Sequence, residues 1–345
     1  MPSRPASPSP SNGSRPNSDS EDQDNFDSVS LRYGVVEAEP SIYFLQGDRV
    51  YNNTSWAYRM PADDAETQVI AWQNTISRQL SESLPGLFRG PVSETILMAG
   101  TTCRILDIGC GSGIWLHEMA ERYPQTDCVG IDLVPASHDH HLSNWQYMFM
   151  EVPTGIKVLP DGSFNIIHIR QMLHAVPDYK ALLLEAFRLL RPSGLLLIHE
   201  PRLHLLSAWE EYDALDLAPG VARYYSLLSS ALAYRGVNMD TFDRVNNFLT
   251  EVGFGEEYID YYQHYRAPCV NDPSLGTSNE ADHTLGYMRA TRLILMEARV
   301  IDDDEFDKLL TQVAEELAGR SKGEAGPDAA KAILSEWGYW WAMKT

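Results

Sequence analysis

The chain has 345 residues, with 48 acidic against 27 basic side chains and a formal net charge of -21. That field, with no basic run anywhere, argues against nucleic acid and anionic lipid as partners. The apolar share of 44% allows a sizeable core, and no apolar run approaches the length of a membrane span.

In chain order, residues 1–30 are Ser, Pro and acid with one aromatic, a composition that predicts a disordered tail. A second segment, 31–100, reads as helical. Asp63 and Asp64 stand where a helix N-cap would, ahead of an apolar stripe of Val69, Trp72, Ile76 and Leu80, so a helix is expected to about Ser83. From residue 101 the rhythm changes. The short apolar runs "CRILDIG", "CVGIDL", "WQYMFMEV", "SFNIIHI" and "LLLIHEP" alternate with helical stretches, which predicts βαβ units and a mostly parallel sheet with helices on both faces. Helices are expected over 205–218, 220–235, 240–252, 283–300 and 303–318, so that 205–252 and 283–318 form helical insertions. A strand, "YIDYYQHY", lies among them. The closing "GYWWAMKT" reads as a last strand that returns to the same sheet.

The four cysteines, at 103, 110, 128 and 269, lack metal-ligand spacing and read as reduced thiols. With no N-terminal apolar h-region, the expected compartment is the cytoplasm, with the nucleus as the alternative.

The chemistry concentrates at "RILDIGCGSGIW", where Gly109, Gly111 and Gly113 follow Asp107 at the end of a strand. A glycine-rich strand-to-helix turn lets main chain approach a ligand closely, beyond the carboxyl ends of the strands. The dinucleotide pattern G-x-G-x-x-G would need glycine at position 114, which is Ile; this counts against an NAD oxidoreductase. The pattern present, D-x-G-x-G-x-G, suits S-adenosylmethionine, which has an amino-acid end and a sulfonium but no pyrophosphate. Asp132 closes the next strand, placed to accept hydrogen bonds from ribose hydroxyls.

"ILDIGCGSG", "GIDL", "FNIIHIR", "EAFRLLRPSGLLLIHEP" and "LTEVGF" resemble the class I S-adenosylmethionine-dependent methyltransferases, and within them the fungal LaeA-like group. The resemblance covers about residues 49–345. It implies a Rossmann-like α/β fold with a seven-stranded sheet and a helical cap, and S-adenosyl-L-methionine as cofactor. It also implies that the glycine loop holds the methionine end, Asp132 the ribose, and Glu151, after the third strand, the adenine amino group.

Candidate bases lie past the fourth and fifth strands: Arg170, Gln171, His174, Glu200 and His204, of which His174 is preferred. His168 and His199 fall within strand runs and read as core. The expected activity is methylation of O, N or C of a small molecule, a fungal secondary metabolite by resemblance. The alternative is a LaeA-like regulator acting with protein partners in the nucleus. No metal is called for.

Overall fold

The computed structural model describes residues 43–46, 49–63, 88–134, 142–266, 280–318 and 332–345. The tail expected over 1–30 and the helix expected over 64–83 lie outside the described residues.

The described chain opens with an antiparallel hairpin, β1 (Tyr43–Gln46) and β2 (Arg49–Asn52), where the sequence pattern suggested only helix. Four-residue strands carry too little periodicity to read locally. What holds this one is a contact from further on, since the Asp63 carboxylate takes Arg49 Nε at 2.6 Å and Val50 N–H at 3.3 Å. Next come α1 (Val92–Ala99), β3 (Arg104–Ile108), α2 (Ile114–Arg122), β4 (Asp127–Asp132), β5 (Trp145–Phe149), β6 (Phe164–Arg170), α3 (Tyr179–Leu189) and β7 (Leu190–Ser207). They are followed by α4 (Ala214–Leu217), α5 (Pro219–Tyr234), α6 (Thr241–Val252), β8 (Ile259–Arg266), α7 (Glu280–Glu297), α8 (Asp303–Leu317) and β9 (Ile333–Met343).

Among the described residues, seven strands form one sheet in the order β5-β4-β3-β6-β7-β9-β8. The first five run parallel, and β9 inserts antiparallel between β7 and β8. The expected return of the last strand is therefore what the chain does. Alternate residues feed two cores. Ile105, Ile166, Leu195 and Leu197 pack with α1 and α2 through Val92, Ile96, Trp115 and Met119. Leu106, Ile108, Ile167, Ile169 and Ile198 pack with α3 and α6 through Leu182, Leu183, Phe242 and Leu249. A third core belongs to the helical cap, with Val221, Tyr224 and Leu228 of α5 against Met288 and Ile294 of α7 and Phe306 and Leu309 of α8. Among the described residues no helix is long and apolar enough to cross a membrane.

The helix expected over 205–218 is a correction. β7 continues to Ser207, pairing Leu205, Leu206 and Ser207 with Ser335, Leu334 and Ile333, and only Ala214–Leu217 is helical. "LHLLS" is short and apolar and fits either period; a partner strand about 128 residues away decides it. The acidic start of α8 is as expected from its dipole. Asp302 caps it by accepting the Glu305 N–H at 2.8 Å. Asp302→Ala should cost about 1 kcal/mol in a urea titration, the usual loss for an N-cap.

The chain reverses between β3 and β6: β4 and β5 lie to one side, β6 and β7 to the other. A crevice forms at such a switch point, outside the carboxyl ends of the strands. The residues that follow β3, β4, β5 and β6 meet there.

Candidate active site

Gly109, Gly111 and Gly113 all adopt left-handed backbone, with φ of 72°, 55° and 81°, which explains three glycines in five residues. The loop they form folds back on β4. Gly109 and Cys110 donate their N–H groups to the Ile131 carbonyl at 2.9 and 3.1 Å, and Gly113 donates to the Cys110 carbonyl at 2.9 Å. Gly111 donates to Asp132 Oδ2 at 2.8 Å. The simple picture of a row of open amides does not hold here, because four of the five N–H groups from Gly109 to Gly113 are spent on the protein. A pyrophosphate needs free N–H donors at this turn. A cationic ligand end needs acceptors, and the loop's carbonyls and the acid beneath it are acceptors.

That acid is Asp107, 2% exposed at the end of β3. It faces His168 in register on β6, with Oδ1 at 2.7 Å from His168 Nδ1. The indole of Trp115 stacks on the His168 ring at 3.7 Å. Burial holds the His168 pKa below its ordinary value despite the pull of Asp107, so the ring is neutral at pH 7 and donates from Nδ1. Asp107 Oδ2 is buried without a hydrogen-bond partner. His168, which read as core from the strand pattern, is core and also the residue that orients this carboxylate.

Among the described residues, a cavity opens at the switch point. It is lined by Gly109, Gly111, Asp132, Glu151 and His174 of the expected site, together with Arg170, Gln171 and Met172. Gly113 caps α2 instead, and Asp107 sits behind the loop without lining the cavity. Asp132 already accepts Gly111 N–H on Oδ2 and Val134 N–H on Oδ1, at 3.0 Å for the second, leaving further lone pairs toward the cavity. Burial raises its pKa to about 6, with nearby Asp107 adding to the rise.

The five candidate bases separate. His174 is buried, with Nδ1 lacking a hydrogen-bond partner and its ring edge-on to Tyr287 at 5.9 Å. Burial lowers its pKa to about 4. Gln171 holds a left-handed φ of 56°, rare for a residue with a Cβ and frequent at ligand sites. Glu200 is fully buried and engaged on both oxygens: it accepts from Met172 N–H at 2.9 Å, Leu173 N–H at 3.2 Å and the Tyr179 hydroxyl at 3.0 Å. It is therefore not an open base. His204 is exposed on the extension of β7 and lines a different cavity beside α5. Ser55, Tyr58 and Met60 from the N-terminal segment and Tyr287 from α7 complete the lining. No periodicity marks these four; only the fold carries them over the strand ends. Asn52 fastens that segment by donating from Nδ2 to the Leu133 carbonyl at 2.8 Å.

An open parallel sheet with two antiparallel strands at one end, an acid-backed glycine turn and an acid closing the next strand together define a class I methyltransferase. The chain belongs to the methyltransferase-domain family, whose profile matches residues 72–246. Beyond that family it is similar to fungal methyltransferases and to LaeA regulators. It is 31% identical over 169 residues to "Methyltransferase str2" of Strobilurus tenacellus, a match covering 48% of this chain and 55% of that protein. It is 31% identical over 164 residues to "Secondary metabolism regulator laeA" of Coprinopsis cinerea, covering 46% of this chain and 39% of that one. The chain thus spans about half the length of the curated relatives it matches. Among solved structures it is similar to Haemonchus contortus phosphoethanolamine N-methyltransferase 2 in complex with S-adenosyl-L-methionine. That likeness has 12% identity and a TM-score of 0.40, over 95% of this chain and 75% of that one.

The residues present fit S-adenosylmethionine. The partnerless buried oxygen of Asp107 and the consumed loop amides suit a ligand with an ammonium group and a sulfonium. If Asp132 accepts the ribose hydroxyls, cofactor affinity depends on its ionisation. Starting from the raised value of about 6, affinity should hold above that pH and fall by about tenfold at pH 5, measured by calorimetry. Asp132→Asn should weaken binding by about 1–3 kcal/mol at pH 8 and flatten the pH profile.

Proposed function

We propose that this methyltransferase transfers a methyl group to O, N or C of a small molecule, a secondary metabolite, and that a hydroxyl is the acceptor best served. The observation that supports this reading is the cavity itself. Its side nearest β3 and β4 carries Gly109, Gly111 and Asp132, and its other walls are Tyr58, Met60, Ala175, Val176 and Tyr287 around His174. The chamber joins these apolar walls to several polar groups, Ser55, Asp132, Glu151, Arg170, Gln171 and His174, which could orient a small molecule.

Bound S-adenosylmethionine supplies an already activated methyl electrophile, so the chain's own task is to align an acceptor, exclude water and take a proton. In this reading the glycine loop with Asp107 beneath it holds the amino-acid end of the cofactor. Asp132 takes the ribose and Glu151, exposed at the cavity rim, the adenine amino group. Tyr58, Met60 and Tyr287 close the acceptor side. His174, neutral far below pH 7, is the group able to receive the hydroxyl proton.

Purified protein incubated with methyl-labelled cofactor and a host extract should place label in a small-molecule fraction. Cofactor binding without any labelled small molecule would overturn the proposal. A second reading rests on the 27% identity to the LaeA regulators of Aspergillus species, in addition to that of Coprinopsis cinerea. It expects stable protein partners and a nuclear tagged copy; a protein that recovers no partner and stays out of the nucleus refutes it.

A further inference from the structure

The end of β6 and the turn after it carry more of the cavity than any other segment: Arg170, Gln171, Met172, His174, Ala175 and Val176 all line it. Gln171, the first residue past the strand, is in an unfavourable conformation. Gln171 is left-handed, and such backbone persists in a residue with a Cβ only where the surroundings over-determine it. Two adjacent residues of β7 supply that constraint. The His199 carbonyl accepts Gln171 N–H at 3.0 Å. The Glu200 carboxylate accepts the next two amides, Met172 N–H on Oε1 at 2.9 Å and Leu173 N–H on Oε2 at 3.2 Å. The Tyr179 hydroxyl, from the start of α3, donates to Oε1 at 3.0 Å and fixes the carboxylate from the far side. From Met172 the chain makes one turn, with Ala175 and Val176 N–H groups both donating to the Met172 carbonyl at 3.0 Å. His174 sits inside that turn.

Met172 also reaches the cofactor loop. A Cβ built on Gly109 would lie 2.3 Å from Met172 Sδ, so the Met172 side chain occupies the space beside that glycine. One buried carboxylate therefore fixes both the wall against the glycine loop and the start of the turn that presents His174.

We propose that Glu200 is a positioning residue which, through the main chain of Met172 and Leu173, sets the distance between the cofactor loop and His174. This rests on the methyltransferase reading of the cavity for its effect on rate, but not for its effect on the turn. An acid suits the position because two converging N–H groups and a hydroxyl all need acceptors and both carboxyl oxygens can accept; burial raises its pKa to about 7 while these three donors pull it down. An amide there would set an NH2 group against one of the two main-chain donors.

Glu200→Gln tests it on two independent readouts. In the cofactor-free protein, hydrogen exchange at Met172 and Leu173 should quicken by about tenfold or more while amides of β3 and β4 keep their protection. In the loaded enzyme, kcat should fall by about 10²-fold, the scale of a small misplacement of reacting groups, with cofactor stoichiometry still one to one. A merely structural loss would instead lower the bound stoichiometry and slow no surviving molecule. Should the Gln variant not fold, Glu200→Asp keeps the charge, shortens the reach and carries the same two expectations. Unchanged exchange at Met172 and Leu173 in the folded variant overturns the proposal, as does an unchanged kcat. If the wild-type protein methylates no small molecule, the functional reading fails on its own, and the exchange measurement still decides whether Glu200 holds the turn.

Discussion

His174→Ala should lower kcat by about 10²–10⁴-fold, the range for loss of a general base, while the cofactor dissociation constant stays within about twofold. The separation follows from where the side chain sits. His174 comes from the turn after β6, whereas the cofactor side of the cavity is built from the ends of β3 and β4. Nδ1 is buried without a hydrogen-bond partner, so Nε2 is the nitrogen left to serve a ligand. Burial lowers the pKa to about 4, which keeps the ring unprotonated across the physiological range while making it a weaker base than an exposed imidazole. The sign has a second consequence. The unfolded chain binds a proton near pH 6.5 that the folded ring takes up only near 4, so stability present above pH 6.5 is lost as pH falls toward 4. Wild type should therefore lose melting temperature between pH 6.5 and 4 more steeply than His174→Ala. A variant with unimpaired kcat toward a hydroxyl acceptor would remove His174 from the chemistry.

Gly109→Val should abolish cofactor binding at concentrations that saturate the wild type, a loss of about 10²-fold or more. Two effects combine. The φ of 72° is left-handed, which costs a residue with a Cβ about 1–2 kcal/mol and a β-branched one more. The new Cβ would also stand 2.3 Å from Met172 Sδ and 2.9 Å from its Cε. Met172 lines the cavity and gives way into it, filling ligand space. Overpacking of this kind costs about 1–3 kcal/mol. Gly109→Ala combined with Met172→Ala separates the two effects: removing the thioether should recover the packing part and leave the backbone part. Unchanged affinity of Gly109→Val for S-adenosylhomocysteine by calorimetry would put the ligand somewhere other than this loop.

Much of the fold was legible locally. The five parallel strands are short apolar runs because both of their faces are buried, and runs of that kind stand out against amphipathic helices. The glycine turn was legible for a different reason. Three left-handed positions in five residues demand glycine, and an acid at each of two strand ends is visible without knowing what it touches. Placing Gly109, Gly111, Asp132, Glu151 and His174 at one cavity needed only the rule that strand ends converge at a switch point.

The rest was not local. Nothing in "HIRQM" distinguishes His168, which orients Asp107, from a plain core residue, because the pairing is set by the register of β3 against β6. Glu200 and His204 looked alike as polar residues past the fifth strand. One is sealed under three donors, and the other faces solvent on a strand that runs on beyond the sheet's middle. The hairpin at 43–52, the strand character of 205–207 and the roofing of the cavity by Tyr58, Met60 and Tyr287 all depend on segments far apart in the chain. Which faces are buried, where the backbone must turn left-handed and which acids close the strands are all readable from spacing and residue type over a few positions. Which polar groups are spent on the protein and which are left for a ligand emerges with the folded arrangement, because a hydrogen-bond partner is chosen by proximity in space, and that proximity comes from burying the two faces of the sheet and the cap together.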